Sequence, residues 1–326
     1  MTVVALSPSL PDTRLRDGVL NVRKEAGWTS HDVVARLRGK LRGGKVGHAG
    51  TLDPAATGVL PVLVGKATRI AEYLLTWDKQ YLVELRLGET TDTQDATGTV
   101  LDRNSVDHLT EQAVRDAAAR FEGRILQVPP MYSAVKVRGV PLYKSARAGR
   151  EIEREARAVT IERLEVLRVC LPDVTLRVVC SKGTYMRTLC ADIGESLGVG
   201  GHMLALDRER VGPLKVEEAL TVAEVESRLA EGTFGAVLLT LDGALQGLPA
   251  CTVGPESAAR ILHGTPVEQR DVLAWVPAPV ATGDGADHAI RLKDEQGRLL
   301  GIGMLRGDVS DGRQPLISVS KVLVTE

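Results

Sequence analysis

The sequence has few aromatic residues and no long apolar run. Aromatic residues occupy only 3% of the 326 positions, so Val, Leu, Ala and Ile must fill most of any core. No stretch approaches the roughly 18 consecutive apolar residues that a membrane-spanning helix needs. The N-terminal residues also lack the basic-then-apolar order of a signal peptide. We therefore expect a cytoplasmic protein that does not associate with membranes.

Metal-type cysteine spacing and a strong net charge are absent as well. The four cysteines show none of the CxxC spacing that zinc and redox sites use, so no metal is expected. The net charge of −1 is unlike the strongly basic balance of many nucleic-acid-binding proteins. Cationic residues nevertheless crowd into residues 36–45 and 136–168, whereas residues 271–294 lean acidic. Attraction to phosphate would therefore be local to one face.

The apolar and charged shares, 44% and 25%, are those of a globular protein, and the length allows two domains. Period-2 and helical spacings alternate along the chain and indicate an α+β protein. A Thr29 to Asp32 capping box precedes one predicted helix. Predicted strands cover residues 18–24, 59–65, 79–88, 159–169, 173–183, 202–214, 288–295, 299–305 and 316–325. Predicted helices cover residues 31–41, 66–76, 109–123, 184–198, 221–230 and 257–264.

One stretch, KVGHAGTLDPAATGVLP over residues 45–61, concentrates the unusual features. Asp53 is the only acidic residue between Val33 and Ala71, and its basic neighbours in sequence are Arg36, Arg38, Lys40, Arg42, Lys45, Lys66 and Arg69. Glycines on both sides allow close approach of a ligand, and Pro54 fixes the backbone after the carboxylate. An ordinary Asp-Pro turn is the alternative interpretation.

The same stretch resembles the G-H-x-G-x-L-D-P-x-A-T-G signature of the TruB family of pseudouridine synthases. The resemblance implies that Asp53 is the catalytic residue and that His48 enters the RNA loop. A second motif, CSKGTYMRTL, resembles the family segment whose Arg pairs with the catalytic Asp and whose Tyr lies against the target base. These residues are Arg187 and Tyr185, with Lys182 beside them as a further substrate-binding residue.

Three other segments extend the resemblance. Tyr81, on the strand predicted over 79–88, matches a tyrosine implicated in proton transfer, although a half-buried structural tyrosine would fit that position equally. Segments similar to PPMYSA and PLY belong to an RNA-gripping region and suggest substrate contacts by Lys136, Arg138 and Tyr143. Near the N-terminus, Lys24 carries over from an Asp-Lys-Pro triplet as a substrate-binding residue.

The chain departs from the family pattern at several positions, which are Arg23, Glu25, Ala55, Asp207 and Glu209. The resemblance implies a monomeric enzyme that isomerises uridine 55 in the T stem-loop of tRNA. The reaction flips the base out, breaks its N1–C1′ bond and rejoins it through C5, with no metal or organic cofactor. Two alternatives stay open: a non-catalytic tRNA-binding or RNA-folding protein, and a guide-RNA-dependent relative.

The predicted fold class is α+β. A mixed, largely antiparallel sheet flanked by helices forms the catalytic domain over residues 18–248, after a flexible lead-in at residues 1–17. Residues 249–326 resemble a PUA domain, a small RNA-binding β fold.

Overall fold

The computed structural model describes residues 17–41, 44–133, 135–137, 139–147, 149–150, 152–277, 289–306 and 316–324. The predicted lead-in therefore lies outside the described residues, apart from Asp17. Among the described residues, no helix combines the length and the apolar character that crossing a membrane requires.

Strands and short helices alternate along the described chain. The strands are β1 (Gly18–Lys24), β2 (Val46–His48), β3 (Thr57–Val64), β4 (Lys79–Leu87), β5 (Glu89–Thr91), β6 (Val100–Arg103), β7 (Gly123–Gln127), β8 (Lys136–Val137), β9 (Val140–Pro141), β10 (Arg157–Cys170), β11 (Asp173–Cys180), β12 (Gly201–Val211), β13 (Leu214–Lys215), β14 (Leu238–Leu239), β15 (Ala250–Val253), β16 (Val272–Val276), β17 (Ala289–Lys293), β18 (Leu299–Arg306) and β19 (Leu316–Val322). The α-helices are α1 (Ser30–Lys40), α2 (Ala71–Leu75), α3 (Glu111–Ala119), α4 (Leu142–Arg147), α5 (Met186–Ser196), α6 (Val222–Ala230), α7 (Leu241–Ala244) and α8 (Pro255–Leu262). Short 3-10 helices cover Gly65–Ile70, Val216–Glu218, Phe234–Val237 and Gln269–Asp271.

A large mixed sheet forms the body of the molecule. Its strand order is β14-β1-β3-β12-β4-β11-β10-β7, with β2 paired to β3 and β13 paired to β12. Within the described residues, the β3–β12 pair is parallel and the other pairs of this sheet are antiparallel. The predicted α+β class with a largely antiparallel sheet is confirmed.

A second sheet, in the order β16-β15-β17-β18-β19, follows in the C-terminal part of the chain. Its inner residues Ala289, Ile302 and Leu323 share one hydrophobic cluster with Val59 and Leu63 of β3. The two sheets therefore pack on each other through apolar side chains. The boundary at residue 248 and the PUA assignment stay predictions.

Local signals in the sequence account for many of these elements. Thr29 caps α1, and Asp32 completes the predicted capping box. The short connection at Pro172 joins β10 and β11 into the expected antiparallel pair. Several segments differ from prediction. Residues 66–76 begin as a 3-10 helix before a short α2, the loop after β4 contains the small β5–β6 hairpin, and β7, β15 and β16 form where no strand was predicted.

Candidate active site

The loop between β2 and β3 carries Asp53, and hydrogen bonds hold it on both sides. Ser30 Oγ accepts a hydrogen bond from Leu52 N (2.9 Å) and donates one to the Leu52 carbonyl (3.2 Å). The Pro54 carbonyl accepts a hydrogen bond from Lys24 Nζ (3.1 Å). Both chain neighbours of Asp53 are thus fixed, which presents the carboxylate on a rigid backbone.

Lys24 has no exposed surface. Its ammonium donates hydrogen bonds to the carbonyls of Glu25 (2.9 Å), Trp28 (2.7 Å) and Pro54 (3.1 Å). Burial lowers the pKa of Lys24 to about 8, although the nearby Asp53 opposes this shift. This geometry does not favour the substrate contact predicted for Lys24, because its three donors are already used. Its position fits a residue that supports the Asp53 loop.

Arg187 lies opposite Asp53 at the start of α5. Its Nε is 3.1 Å from Asp53 Oδ2, and the side chain of Arg187 is 6% exposed while that of Asp53 is 40% exposed. The same guanidinium donates to the carbonyl of Tyr132 (2.8 Å) and, more weakly, to that of Thr93 (3.4 Å). Arg187 therefore joins the loop that carries Asp53, the segment after β7 and the loop after β5. The structure brings together the two residues that the motifs singled out.

A second carboxylate, Asp95, adjoins this pair and was not identified from the sequence. Its Oδ2 is 3.8 Å from Arg187 Nε. Its Oδ1 accepts hydrogen bonds from Thr93 Oγ1 (2.8 Å), Thr97 N (3.0 Å) and Thr97 Oγ1 (2.6 Å). Asp95 lies in the segment ETTDTQDATG, which contains three acids. The D-x-T spacing of the turn was the one available signal, and it indicates a turn rather than a site.

The surroundings of Asp53 disfavour its charged form. Burial raises the pKa of the Asp53 carboxyl above its ordinary value; Arg187 opposes this, Asp95 adds to it, and Lys24 opposes it. The carboxylate borders a cavity of about 80 Å³, which Met203 and Leu206 of β12 also line. A carboxylate in a partly desolvated cavity, with one arginine beside it, can act as a nucleophile or a base.

Tyr81 lies on β4, with its Cα opposite Arg208 of β12. Its side chain is buried, and burial raises the pKa of its hydroxyl, although the Arg208 guanidinium acts against this shift. Asp53 is close enough to raise the pKa of Tyr81 further. The predicted tyrosine is therefore within electrostatic reach of Asp53.

His48 and Tyr185 flank the loop and α5. His48 ends β2 and is partly exposed, but its Nδ1 is buried and has no hydrogen-bond partner among the described residues. Burial lowers the pKa of the imidazole, and Arg208 adds to this effect. Tyr185 caps α5 and is partly exposed, and its backbone is bonded in both directions to the buried Gln127 amide (3.0 and 3.3 Å).

The other predicted RNA contacts are spread over two segments. Lys182 is exposed in the turn before α5. Lys136 begins β8 and Tyr143 lies in α4, both in the region between β7 and β10. Arg138 lies outside the described residues.

The basic residues close to Asp53 in sequence are mostly occupied elsewhere. Arg36 and Lys40 contact Glu226 of α6 (2.5 and 3.6 Å). Lys66 and Arg69 donate to carbonyls at the end of β19. The cations whose charges act on the Asp53 carboxyl are instead Arg187 and Lys24, which lie farther from it in sequence.

Family models match the part of the chain that forms this site. The model described as TruB family pseudouridylate synthase (N terminal domain) matches residues 38–186. The model described as tRNA pseudouridylate synthase B C-terminal domain matches residues 187–246. The matched ranges include most of the large mixed sheet and both Asp53 and Arg187, so the chain is a pseudouridine synthase, which is an isomerase. The division between the two models falls inside α5, so it does not mark a break in the fold.

Curated relatives agree over most of the chain, which belongs to the TruB family. A protein of Burkholderia mallei named tRNA pseudouridine synthase B is 45% identical over 93% of this chain and 94% of its own length. A protein of the same name from Geobacter sulfurreducens is 46% identical over 78% of this chain and 84% of its own length.

Solved structures show the same fold. A chain in the crystal structure of a Cbf5-Nop10-Gar1 complex is 29% identical, with a TM-score of 0.74 over 94% of this chain and 84% of that chain. A chain in an H/ACA RNP bound to a substrate RNA containing 2'-deoxyuridine is 27% identical, with a TM-score of 0.72 over 94% of this chain and 85% of that chain.

Proposed function

We propose that this enzyme isomerises uridine 55 in the T stem-loop of tRNA to pseudouridine, acting as a cytoplasmic monomer. The observation that carries the proposal is the 3.1 Å pair between Arg187 and Asp53 at the border of a small cavity. The names of the curated relatives supply the tRNA substrate.

A uridine stacked inside a folded loop is out of reach of Asp53, so the base is flipped into the cavity. His48, partly exposed at the end of β2, occupies the position that the base leaves. Tyr185 covers the flipped uracil from the start of α5. Further contacts to the RNA loop come from Lys182, Lys136, Arg138 and Tyr143. The C-terminal sheet, as a PUA-like module, extends the RNA-binding surface.

Asp53 acts as its carboxylate, because only the ionised form attacks a carbon atom or accepts a proton. Three steps are open to it: attack on C6 of the base, attack on C1′, or removal of a proton from the sugar. In each case the N1–C1′ bond breaks, C5 bonds to C1′ and loses its proton, and N1 gains one. Arg187 keeps the carboxylate ionised against the opposing effect of burial, and Tyr81 is placed to take part in proton transfer.

The test uses the purified protein and a T-arm stem-loop RNA, with pseudouridine mapped by nucleotide position. We expect modification at the uridine that corresponds to position 55 and none when that uridine is replaced by cytidine. Failure to modify this RNA, with full tRNA also unmodified, would contradict the proposal.

The second candidate is a guide-RNA-dependent synthase, because one of the similar solved structures is a chain of an H/ACA RNP bound to a substrate RNA. The higher identity to proteins named tRNA pseudouridine synthase B favours the stand-alone enzyme. The assay without any guide RNA distinguishes the two candidate functions, because a guide-dependent enzyme would leave the stem-loop unmodified under these conditions.

A further inference from the structure

A buried arginine that was not singled out in the sequence lies beneath the catalytic loop. Arg208 of β12 is 1% exposed. Its Nε donates to the carbonyl of Val59 (2.7 Å), and its two terminal nitrogens donate to the carbonyls of Gly50 (3.0 Å) and Thr51 (3.4 Å). Gly50 and Thr51 precede Asp53 and Val59 follows it, so one guanidinium ties both sides of the loop that carries the carboxylate.

The backbones of β3 and β12 also pack closely against each other beside Arg208. Gly58 of β3 pairs with Arg208 and has a φ of +104°. A Cβ at Gly58 would lie 2.3 Å from the carbonyl oxygen of Arg208, which no real contact allows. The loop therefore ends on a strand position where β3 and β12 approach as closely as glycine permits.

The charge of Arg208 also reaches two residues of the proposed reaction. Arg208 and Tyr81 are opposite partners on adjacent strands, and the guanidinium favours the ionised form of the Tyr81 hydroxyl. It disfavours the protonated form of His48. Arg208 thus contacts or influences the loop of Asp53, the tyrosine behind it and the histidine beside it.

We propose that Arg208 is a positioning residue, which fixes the Asp53 loop through three backbone carbonyls and orients the Tyr81 hydroxyl against it. The proposal rests on the proposed function for the meaning of that geometry. Arg208 itself is buried beneath the loop and acts through these residues. The planar guanidinium suits this role because its donors reach several acceptors in one plane, which an ammonium cannot reproduce.

The test compares Arg208→Met and Arg208→Lys with a matched control, Arg291→Met. Arg291 is also buried and also donates to a backbone carbonyl, that of Leu248 (3.1 Å), but it lies in the C-terminal sheet. All three variants remove or alter a buried cation that holds backbone. A loss common to Arg208→Met and Arg291→Met would therefore reflect stability alone.

Single-turnover rate at saturating T-arm RNA, RNA affinity and Tm are measured for each variant. We expect Arg208→Met to lower the rate by about a hundredfold, the order that a misplaced reacting group costs, with affinity changed by less than about threefold. Arg208→Lys should lower it by about tenfold, because an ammonium keeps the charge but reaches fewer of the carbonyls. Arg291→Met should lower Tm and leave the rate unchanged.

Two further measurements test the role of Arg208 without relying on enzymatic activity. Hydrogen exchange of the amides in residues 49–59 should accelerate in both Arg208 variants and not in Arg291→Met. NMR titration of labelled histidines should give a higher His48 pKa in Arg208→Met, where burial and His31 still lower it, and an unchanged one in Arg208→Lys. An inactive wild type would contradict the proposed function, whereas these two measurements would still decide the role of Arg208.

A folded Arg208→Met with a rate within about threefold of wild type, or with a loss no larger than that of Arg291→Met, would overturn the proposal. If Arg208→Met does not fold, Arg208→Lys decides, since it keeps the aliphatic stem and the charge. A wild-type rate together with unchanged exchange over residues 49–59 in Arg208→Lys would also overturn it.

Discussion

The catalytic loop and the junction between the two sheets use the same kinds of contact in opposite proportions. At the junction, one carboxylate, that of Asp242, meets two cations, Arg291 (3.0 Å) and Lys293 (2.9 Å). At the catalytic loop, one guanidinium, that of Arg187, serves two carboxylates, Asp53 (3.1 Å) and Asp95 (3.8 Å). Two cations pair with one carboxylate at the junction, whereas one guanidinium pairs with two carboxylates at the Asp53 loop.

Under the proposed function, the contacts at the junction stabilise the fold, whereas the Asp53 carboxylate reacts. Asp53 shares Arg187 with Asp95, and burial and the charge of Asp95 raise the pKa of its carboxyl although Arg187 and Lys24 oppose this shift. An under-compensated carboxylate gains more from bonding to a substrate carbon or accepting its proton, so the imbalance suits catalysis.

The largest effect is expected from removing each carboxylate in turn. Asp53→Asn keeps the size of the side chain but removes its charge, so turnover should be lost while RNA affinity and Tm stay near wild type. Asp242→Asn should lower Tm and leave single-turnover rate intact, because it leaves Arg291 and Lys293 without their acceptor. A rate above about a tenth of wild type in Asp53→Asn would contradict the assignment of the catalytic residue.

The second effect concerns Arg187 and pH. The pKa of Asp53 is raised, so the wild-type rate should fall with decreasing pH at a higher pH than an ordinary aspartate, whose pKa is about 3.9, would give. Arg187→Met removes the main opposing charge and raises this pKa further, so the variant should be nearly inactive near neutral pH. Its residual rate should increase toward alkaline pH, where Asp53 ionises again.

Arg187→Lys serves as the control for charge alone. It should recover part of the rate, because an ammonium restores charge beside Asp53 but not the planar contacts to Tyr132 and Thr93. Single-turnover rates across pH, measured at saturating RNA, test both variants. Weaker RNA binding with a normal rate in Arg187→Met would instead indicate a phosphate contact.

A third, smaller effect is expected at the junction. Ile302 is fully buried in the hydrophobic cluster that the two sheets share. Ile302→Ala should lower the free energy of unfolding by about 2–5 kcal/mol, measured by denaturant titration, with the single-turnover rate unchanged at saturating RNA. A slower bound reaction in this variant would show that the junction also sets the geometry of the catalytic loop.

The smallest effect compares two lysines that each hold a backbone carbonyl. Lys24 donates to Pro54 beside Asp53, and Lys66 donates to Val324 at the junction. Lys24→Met should slow the bound reaction by about tenfold, because the loop loses one of its supports. Lys66→Met should cost about 1 kcal/mol of stability and leave the rate unchanged. Equal single-turnover rates in the two variants would remove Lys24 from the support of the loop.

Much of the fold could be read from local patterns. The capping box at Thr29 predicts the start of α1 within one residue, and the alternation over residues 79–88 predicts β4. Short-range hydrogen bonds and side-chain periodicity decide these features, and both are written in neighbouring residues. The segment at residues 66–76 was less regular than its apolar spacing suggested, because packing against the C-terminal strand holds Lys66 and Arg69.

The site residues also divide into those that the sequence identified and those that only the structure revealed. Motifs identified Asp53 and Arg187, but their spacing carries no information on Asp95 or Arg208. Asp95 lies in a loop with other acidic residues, so its sequence context does not distinguish it. Arg208 lies on a predicted strand between Asp207 and Glu209, and only these two neighbours depart from the family pattern. In the structure Asp207 accepts a hydrogen bond from Thr57, and Glu209 pairs with Arg177 (3.0 Å), so both departures have local partners.

The sequence alone determined the elements, the glycine-rich loop and the identity of its carboxylate. The tertiary structure decided which cations reach that carboxylate. The nearby basic residues in sequence contact α6 and β19, whereas Arg187 comes from the start of α5 and Lys24 from the end of β1. Strand order and register fix those distances, and they depend on how distant segments bury their apolar faces together, which no local pattern of residues specifies.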